Sequence, residues 1–184
     1  MTHFKNFDFQ NPRLQPAGGC GWISVKDGTS ISFTNPGTAA STYNKSNSQL
    51  QSAGYIDSTG NLTAAHDAAT AHLGAPWRMP TDAEISALIN NCTTTWITTN
   101  GVPGRLVTGK DSYANRSIFL PAAGVGRDSR LYSPGSIGLF WSSTPNSAKS
   151  DNAWDLYFAS SYFNRDDYGR FLGQSVRPVR GFAE

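Results

Sequence analysis

Three histidines, two cysteines and one adjacent pair of carboxylates carry most of the conventional catalytic potential of this 184-residue chain. His66 and His72 fall on different faces of a segment expected to be helical, so the two-histidine metal site built at i and i+4 is not available. His3 stands alone near the start. Cys20 and Cys92 belong to no Cys-x-x-Cys unit, which removes structural zinc and dithiol redox chemistry. They are either one bridge or two isolated thiols, and buried thiols are the commoner habit. Gly-x-Ser-x-Gly and Gly-x-x-x-x-Gly-Lys-Ser/Thr are absent, and Gly124-Val-Gly-Arg has neither a third glycine nor a helix after it. Asp166 and Asp167 are neighbours, and neighbours on a strand point to opposite faces, so they do not flank one scissile bond. In a loop, two carboxylates among Asn164, Arg165 and Arg170 are a weak calcium signature. No catalytic residue, no metal and no cofactor is therefore expected, and the chain reads as a non-enzyme.

Composition narrows the field further. The net charge is +2, with 15 Lys+Arg against 13 Asp+Glu and no block of like charge, so no electrostatic footprint for nucleic acid or an anionic membrane is present. Five Trp, 7 Tyr and 10 Phe offer too much burial surface for a disordered chain. Only 15% of residues are charged and Glu occurs twice, at Glu84 and Glu184, whereas Glu and Lys usually coat exposed helices. Hydroxyls and amides take their place, as suits strands and loops. No run approaches the roughly 18 apolar residues of a membrane span, so membrane insertion by this chain is not expected. The opening Met1-Thr-His-Phe-Lys-Asn-Phe-Asp lacks a basic segment followed by an apolar stretch, so no signal peptide is visible.

The elements that must position any site follow from periodicity and capping. One domain is expected over 1–184, with residues 1–20 an extended lead-in carrying Phe4, Phe7 and Phe9. Ile23 and Val25, then Ile31 and Phe33, alternate about Lys26-Asp27-Gly28 and predict a hairpin. Residues 34–60 read as a polar surface excursion. A first helix is expected from about Leu62 to Leu73, capped by Asn61 or Thr63 and closed by Gly74. The second is better marked: Thr81-Asp82-Ala83-Glu84 is a capping box, and Ile85, Leu88 and Ile89 form its apolar stripe until Asn90-Asn91. Short apolar runs separated by turns then continue to the C-terminus. Among them Trp154, Leu156 and Phe158 share one strand face, leaving Asp155 and Tyr157 on the other. Strands, two helices and many short strands give an α+β class.

Two segments together carry a resemblance. Trp77-Arg78-Met79-Pro80 enters the capped helix, and Phe119-Leu-Pro-Ala-Ala-Gly precedes Gly138-Leu-Phe-Trp-Ser-Ser-Thr-Pro and Gly173-Gln-Ser-Val-Arg-Pro-Val-Arg. Over about residues 75–181 this arrangement resembles the Fibrobacter succinogenes major paralogous domain, a branch of the C-type lectin-like fold related to formylglycine-generating enzyme. The resemblance implies two helices packed on a twisted, mostly antiparallel sheet with long loops. It makes Trp77, Trp141, Trp154, Arg78 and Arg177 scaffold. The chain departs from calcium-dependent lectins, since Glu-Pro-Asn, Gln-Pro-Asp and Trp-Asn-Asp are all missing. It also lacks the C-terminal cysteine pair of formylglycine-generating enzymes.

The C-terminal half also looks like the variable proteins of diversity-generating retroelements, which display hypervariable residues on this fold. In such systems adenine-directed change turns Asn codons into many residues but never into Lys, Glu, Gln, Met or Trp. Segments 127–139 and 159–172 contain none of these five. The chain as a whole has 5 Lys, 2 Glu, 5 Gln, 2 Met and 5 Trp, so composition alone would place about three there. Tyr, Ser, Asn, Asp and Arg dominate instead, as in antibody paratopes. The resemblance implies a ligand-binding face within 127–172: Asp128, Arg130 and Tyr132 from the first segment, with Asp155 and Tyr157 beside a loop carrying Tyr162, Asn164, Asp166, Asp167 and Tyr168. The partner implied is a cell-surface protein or glycan, and the setting a phage virion or bacterial cell surface. The alternative is a fixed-sequence structural or adhesive surface module of the same family.

Overall fold

A computed structural model describes residues 44–127 and 130–180. The expected lead-in, the 23–33 hairpin, Cys20 and Asp128 lie outside the described residues. The chain runs α1 (Asn47–Ser52), α2 (Ala68–Leu73), β1 (Trp77–Arg78), α3 (Asp82–Asn91), β2 (Cys92–Thr99) and β3 (Val102–Gly109). It continues through β4 (Ser117–Pro121), β5 (Val125–Arg127), β6 (Arg130–Tyr132), β7 (Gly138–Pro145), β8 (Asn152–Ala159), β9 (Tyr162–Gly169) and β10 (Val179–Arg180).

The capping box on α3 forms as the sequence requires. The Thr81 hydroxyl accepts from the Glu84 N–H at 3.2 Å, and the Glu84 carboxylate accepts from the Thr81 N–H at 2.9 Å. The first helix differs from expectation. Leu62 is drawn into a bridge with Ile56, so the helix starts later, at Ala68, where buried Asp67 caps it by accepting from the Thr70 N–H at 2.9 Å. The same carboxylate accepts from the Met79 N–H at 2.9 and 3.1 Å and ties α2 to β1. Of the 34–60 segment, the described residues 44–60 hold more than a surface excursion, because a Ser46/Gln49 capping box starts α1 and Leu50 is completely buried. Asn100 and Gly101 both take positive φ, as a two-residue type I′ turn between β2 and β3 needs.

Among the described residues strand outweighs helix, 44% to 19%, and the strands divide into four small antiparallel sheets: β1-β10, β2-β3-β4, β5-β6 and β7-β8-β9. This corrects the α+β expectation of two helices packed on one twisted C-type lectin-like sheet. Three helices are present among the described residues, two of them six residues long. Residues 162–169, expected as a long loop, form β9. Isolated bridges join the pieces, Gly126 to Gly173 and Phe140 to Ser175, in place of a continuous sheet.

The β7-β8-β9 sheet is covered on both sides. Direct cross-strand partners share a face, and Phe140↔Leu156 and Phe158↔Phe163 set one side. There Ile85 of α3, Val107 and Leu120 close a core around Phe140, Leu156 and Phe158. On the other side Trp141 and Ala153 meet Leu50, Ile56, Leu62, Ala68, Ala69 and Met79. Gly138 leaves room for the Phe158 ring, which stacks on Phe140 at 5.8 Å.

Candidate recognition face

Register decides which residues meet. Pairing of Ala153 with Tyr168, Asp155 with Asp166, Tyr157 with Asn164 and Ala159 with Tyr162 places these residues on one face of the β8–β9 hairpin. Six of the residues singled out from the sequence therefore converge: Asp155, Tyr157, Tyr162, Asn164, Asp166 and Tyr168. The three tyrosines form a cluster, with Tyr157 5.1 Å from Tyr162 and 6.1 Å from Tyr168 between ring centroids. Tyr162 is exposed, while Tyr157 and Tyr168 are half-buried, and Tyr168 also packs against the core around Trp141.

The remaining residues go elsewhere. Asp167 faces the opposite side, paired with Trp154. Its carboxylate accepts from Asn152 Nδ2 at 2.6 Å and from Lys149 Nζ at 3.0 Å. Burial pushes its pKa up, but these bonds outweigh that and hold it below the ordinary value. Arg130 and Tyr132 are exposed on β6, a separate two-stranded sheet, so they are not part of the β8–β9 face.

Asp155 differs most from expectation. It shares the tyrosine face as alternation requires, yet it is completely buried, not outward in solvent. Gln174 Nε2 donates to its Oδ2 at 2.6 Å. The second oxygen, Oδ1, has no hydrogen-bond partner, and neither have Gln174 Oε1 and the indole N–H of Trp141, the residue paired with Asp155 across β7 and β8. Burial pushes the Asp155 carboxyl up to about 7 against the opposing bond from Gln174, and Asp166 and Asp167 add to the rise. Tyr168 is likewise raised, first by burial and then by Asp166, Tyr157, Asp155 and Tyr162.

Three arginines frame this hairpin, and the sequence marked none of them for that role. Arg105 of β3 gathers the turn that carries Tyr162: its guanidinium donates to the carbonyls of Ala159 at 2.8 Å, Ser160 at 2.9 Å and Tyr162 at 3.3 Å. Arg165, on the side opposite the tyrosines, lies 3.3 Å from the Trp154 ring centroid and binds both carboxylate oxygens of Asp82. Arg170 is buried and donates to the carbonyls of Lys45 and Ser150. Asp82 is the first residue of α3, so the Arg165 pair also fixes the helix to β9. For Arg165 and Arg170 a basic position inside an otherwise polar segment was the available signal, whereas Arg105 stands among Gly104, Leu106 and Val107.

Chemically, the face offers phenol rings, one amide and carboxylates. Among the described residues no group of three His, Cys, Asp or Glu side chains is placed to hold a metal ion. Cys92 is a free, half-buried thiol whose pKa burial raises. No helix among the described residues is long and apolar enough to cross a membrane. Compared with known proteins, the chain matches the family model of a domain of unknown function, DUF8237, over residues 108–179. That span runs from the end of β3 into β10 and contains the whole tyrosine face. No curated protein and no solved structure matches the chain.

Proposed function

We propose that the β8–β9 face is the ligand-recognition surface of a non-enzymatic binding protein, its residues diversified by a retroelement. The target class is a protein or glycan on a cell surface, and the chain acts on a phage virion or bacterial surface. One observation carries the reading: Tyr157, Tyr162, Asn164, Asp166 and Tyr168, drawn from or beside a segment free of Lys, Glu, Gln, Met and Trp, share one side of a hairpin. Tyrosines supply rigid amphipathic contact area at low entropic cost, and asparagine and aspartate supply adaptable hydrogen bonds. The hairpin is held at its turn by Arg105 and from behind by Arg165, so side chains on the open face can vary while the frame stays fixed.

A fixed-sequence adhesive or structural module is the second reading. It is favoured by Asp155 and Asp167, which are tied into the frame by Gln174, Lys149 and Asn152. The recognition reading is tested by probing the folded chain against arrays of glycans and bacterial surface proteins. Binding should be specific and should weaken on Tyr162→Ala. Specific binding that Tyr162→Ala and Tyr157→Ser both leave intact would place recognition elsewhere.

A further inference from the structure

The two faces of β9 offer an internal comparison. On one, an aromatic ring and a carboxylate, Trp154 and Asp82, are bridged by the guanidinium of Arg165, seated 3.3 Å from the ring centroid. The other face has the same ingredients in greater number: the Tyr157, Tyr162 and Tyr168 rings with the Asp166 and Asp155 carboxylates. Among the described residues no lysine or arginine is paired with either carboxylate or stacked on any of the three rings. Asp166 accepts one hydrogen bond, from the Asp167 N–H at 2.8 Å, and Asp155 Oδ1 is fully buried and unpartnered.

We propose that this face binds an organic cation, the guanidinium or ammonium group of a partner's arginine or lysine side chain, against the tyrosine rings with Asp166 as its carboxylate partner. This inference rests on the recognition reading above and specifies its target chemistry. Ring faces attract cations through their quadrupoles, more strongly where water is displaced. A planar guanidinium stacks on a ring and meets a carboxylate with its N–H edge at once, the arrangement Arg165 already adopts. Buried Asp155 adds negative potential on this face only where it is ionised, above about pH 7. A divalent metal is the poorer occupant, since the third nearby carboxylate, Asp167, points to the opposite face.

The test uses the full chain labelled at its tyrosine rings and titrated with N-acetyl-arginine amide and, separately, with its neutral isostere N-acetyl-citrulline amide. The arginine probe should shift the Tyr157, Tyr162 and Tyr168 resonances saturably at millimolar concentration, and the citrulline probe should not. Asp166→Asn should weaken the arginine probe at least about tenfold, while Asp111→Asn, which removes one exposed carboxylate elsewhere, should leave it unchanged. Equal response to both probes, no response to the arginine probe, or equal loss in Asp111→Asn overturns the proposal. The wild-type comparison of the two probes needs no variant to fold. If array targets are lost on Tyr162→Ala while the arginine probe fails, the recognition reading stands and only the cation is wrong.

Discussion

Replacing Asp155 by asparagine gives a pH-dependent change in stability whose sign and size follow from its surroundings. The side chain is fully buried, and burial lifts its pKa from the ordinary 3.8 to about 7. The folded state therefore holds the proton more tightly than the unfolded chain does. Below about pH 4 both states carry it and its contribution is fully present. As pH rises toward about 7 the unfolded chain releases the proton first, and that contribution is lost. Roughly three pH units at about 1.36 kcal/mol each make up to about 4 kcal/mol. Asparagine keeps the shape and a hydrogen bond with Gln174 but does not titrate. Urea unfolding of both proteins, at steps between about pH 4 and pH 8, should show similar stabilities at the acid end. Asp155→Asn should then gain steadily on the wild type, by up to about 4 kcal/mol at the alkaline end. Taking the difference cancels every group the two proteins share. A pH-independent difference, or a wild type that gains on the variant as pH rises, would refute the argument and show Asp155 to be ionised and paired in the fold.

The tyrosines should separate by burial: Tyr162→Ala, at an exposed position, should change unfolding free energy by no more than about 0.5 kcal/mol. Tyr168→Ala, which empties space beside the Trp141 core, should cost about 1 to 3 kcal/mol by the same assay. Gly138→Ala should destabilise by about 1 to 3 kcal/mol in thermal or urea unfolding, because a Cβ there would run into the Phe158 ring, with two ring carbons at 2.6 Å. Glu84→Gln should cost about 1 to 2 kcal/mol at neutral pH, since it weakens both the capping box and the two-bond contact from Arg78 at 2.6 and 2.7 Å. Burial raises the Glu84 pKa, but Arg78 and Thr81 outweigh it and hold it below the ordinary value. The gap between wild type and Glu84→Gln should therefore shrink as pH falls through the carboxylate range.

How far the sequence disclosed all this depended on the range of the interaction involved. The Thr81 box and the Ile85 stripe are local, and α3 lies where they put it, from Asp82 to Asn91. Alternation in β8 correctly buried Leu156 and Phe158. It also placed Asp155 with Tyr157, but alternation names a face and not what covers it. Gln174, 19 positions away, covers Asp155. Residues 162–169 looked like a loop because their side chains are polar. They form a strand because β8 supplies the pairing and the partly buried Phe163 packs against the core. α1 was missed because six residues show no periodicity, although Ser46 and Gln49 carry the same capping signal as Thr81 and Glu84. The fold class failed for the longest-range reason. Whether strands merge into one sheet depends on pairings such as Trp77 with Arg180, which no local pattern encodes.

The recognition account stands or falls most directly on the coding locus. Sequencing it together with sibling copies should reveal a near-identical copy of the 127–181 coding region, differing at adenines and lying beside a reverse transcriptase. Sibling substitutions should concentrate in 127–139 and 159–172 and spare Trp141, Leu156 and Phe158. Substitutions spread evenly along the chain, with no such copy nearby, would contradict it.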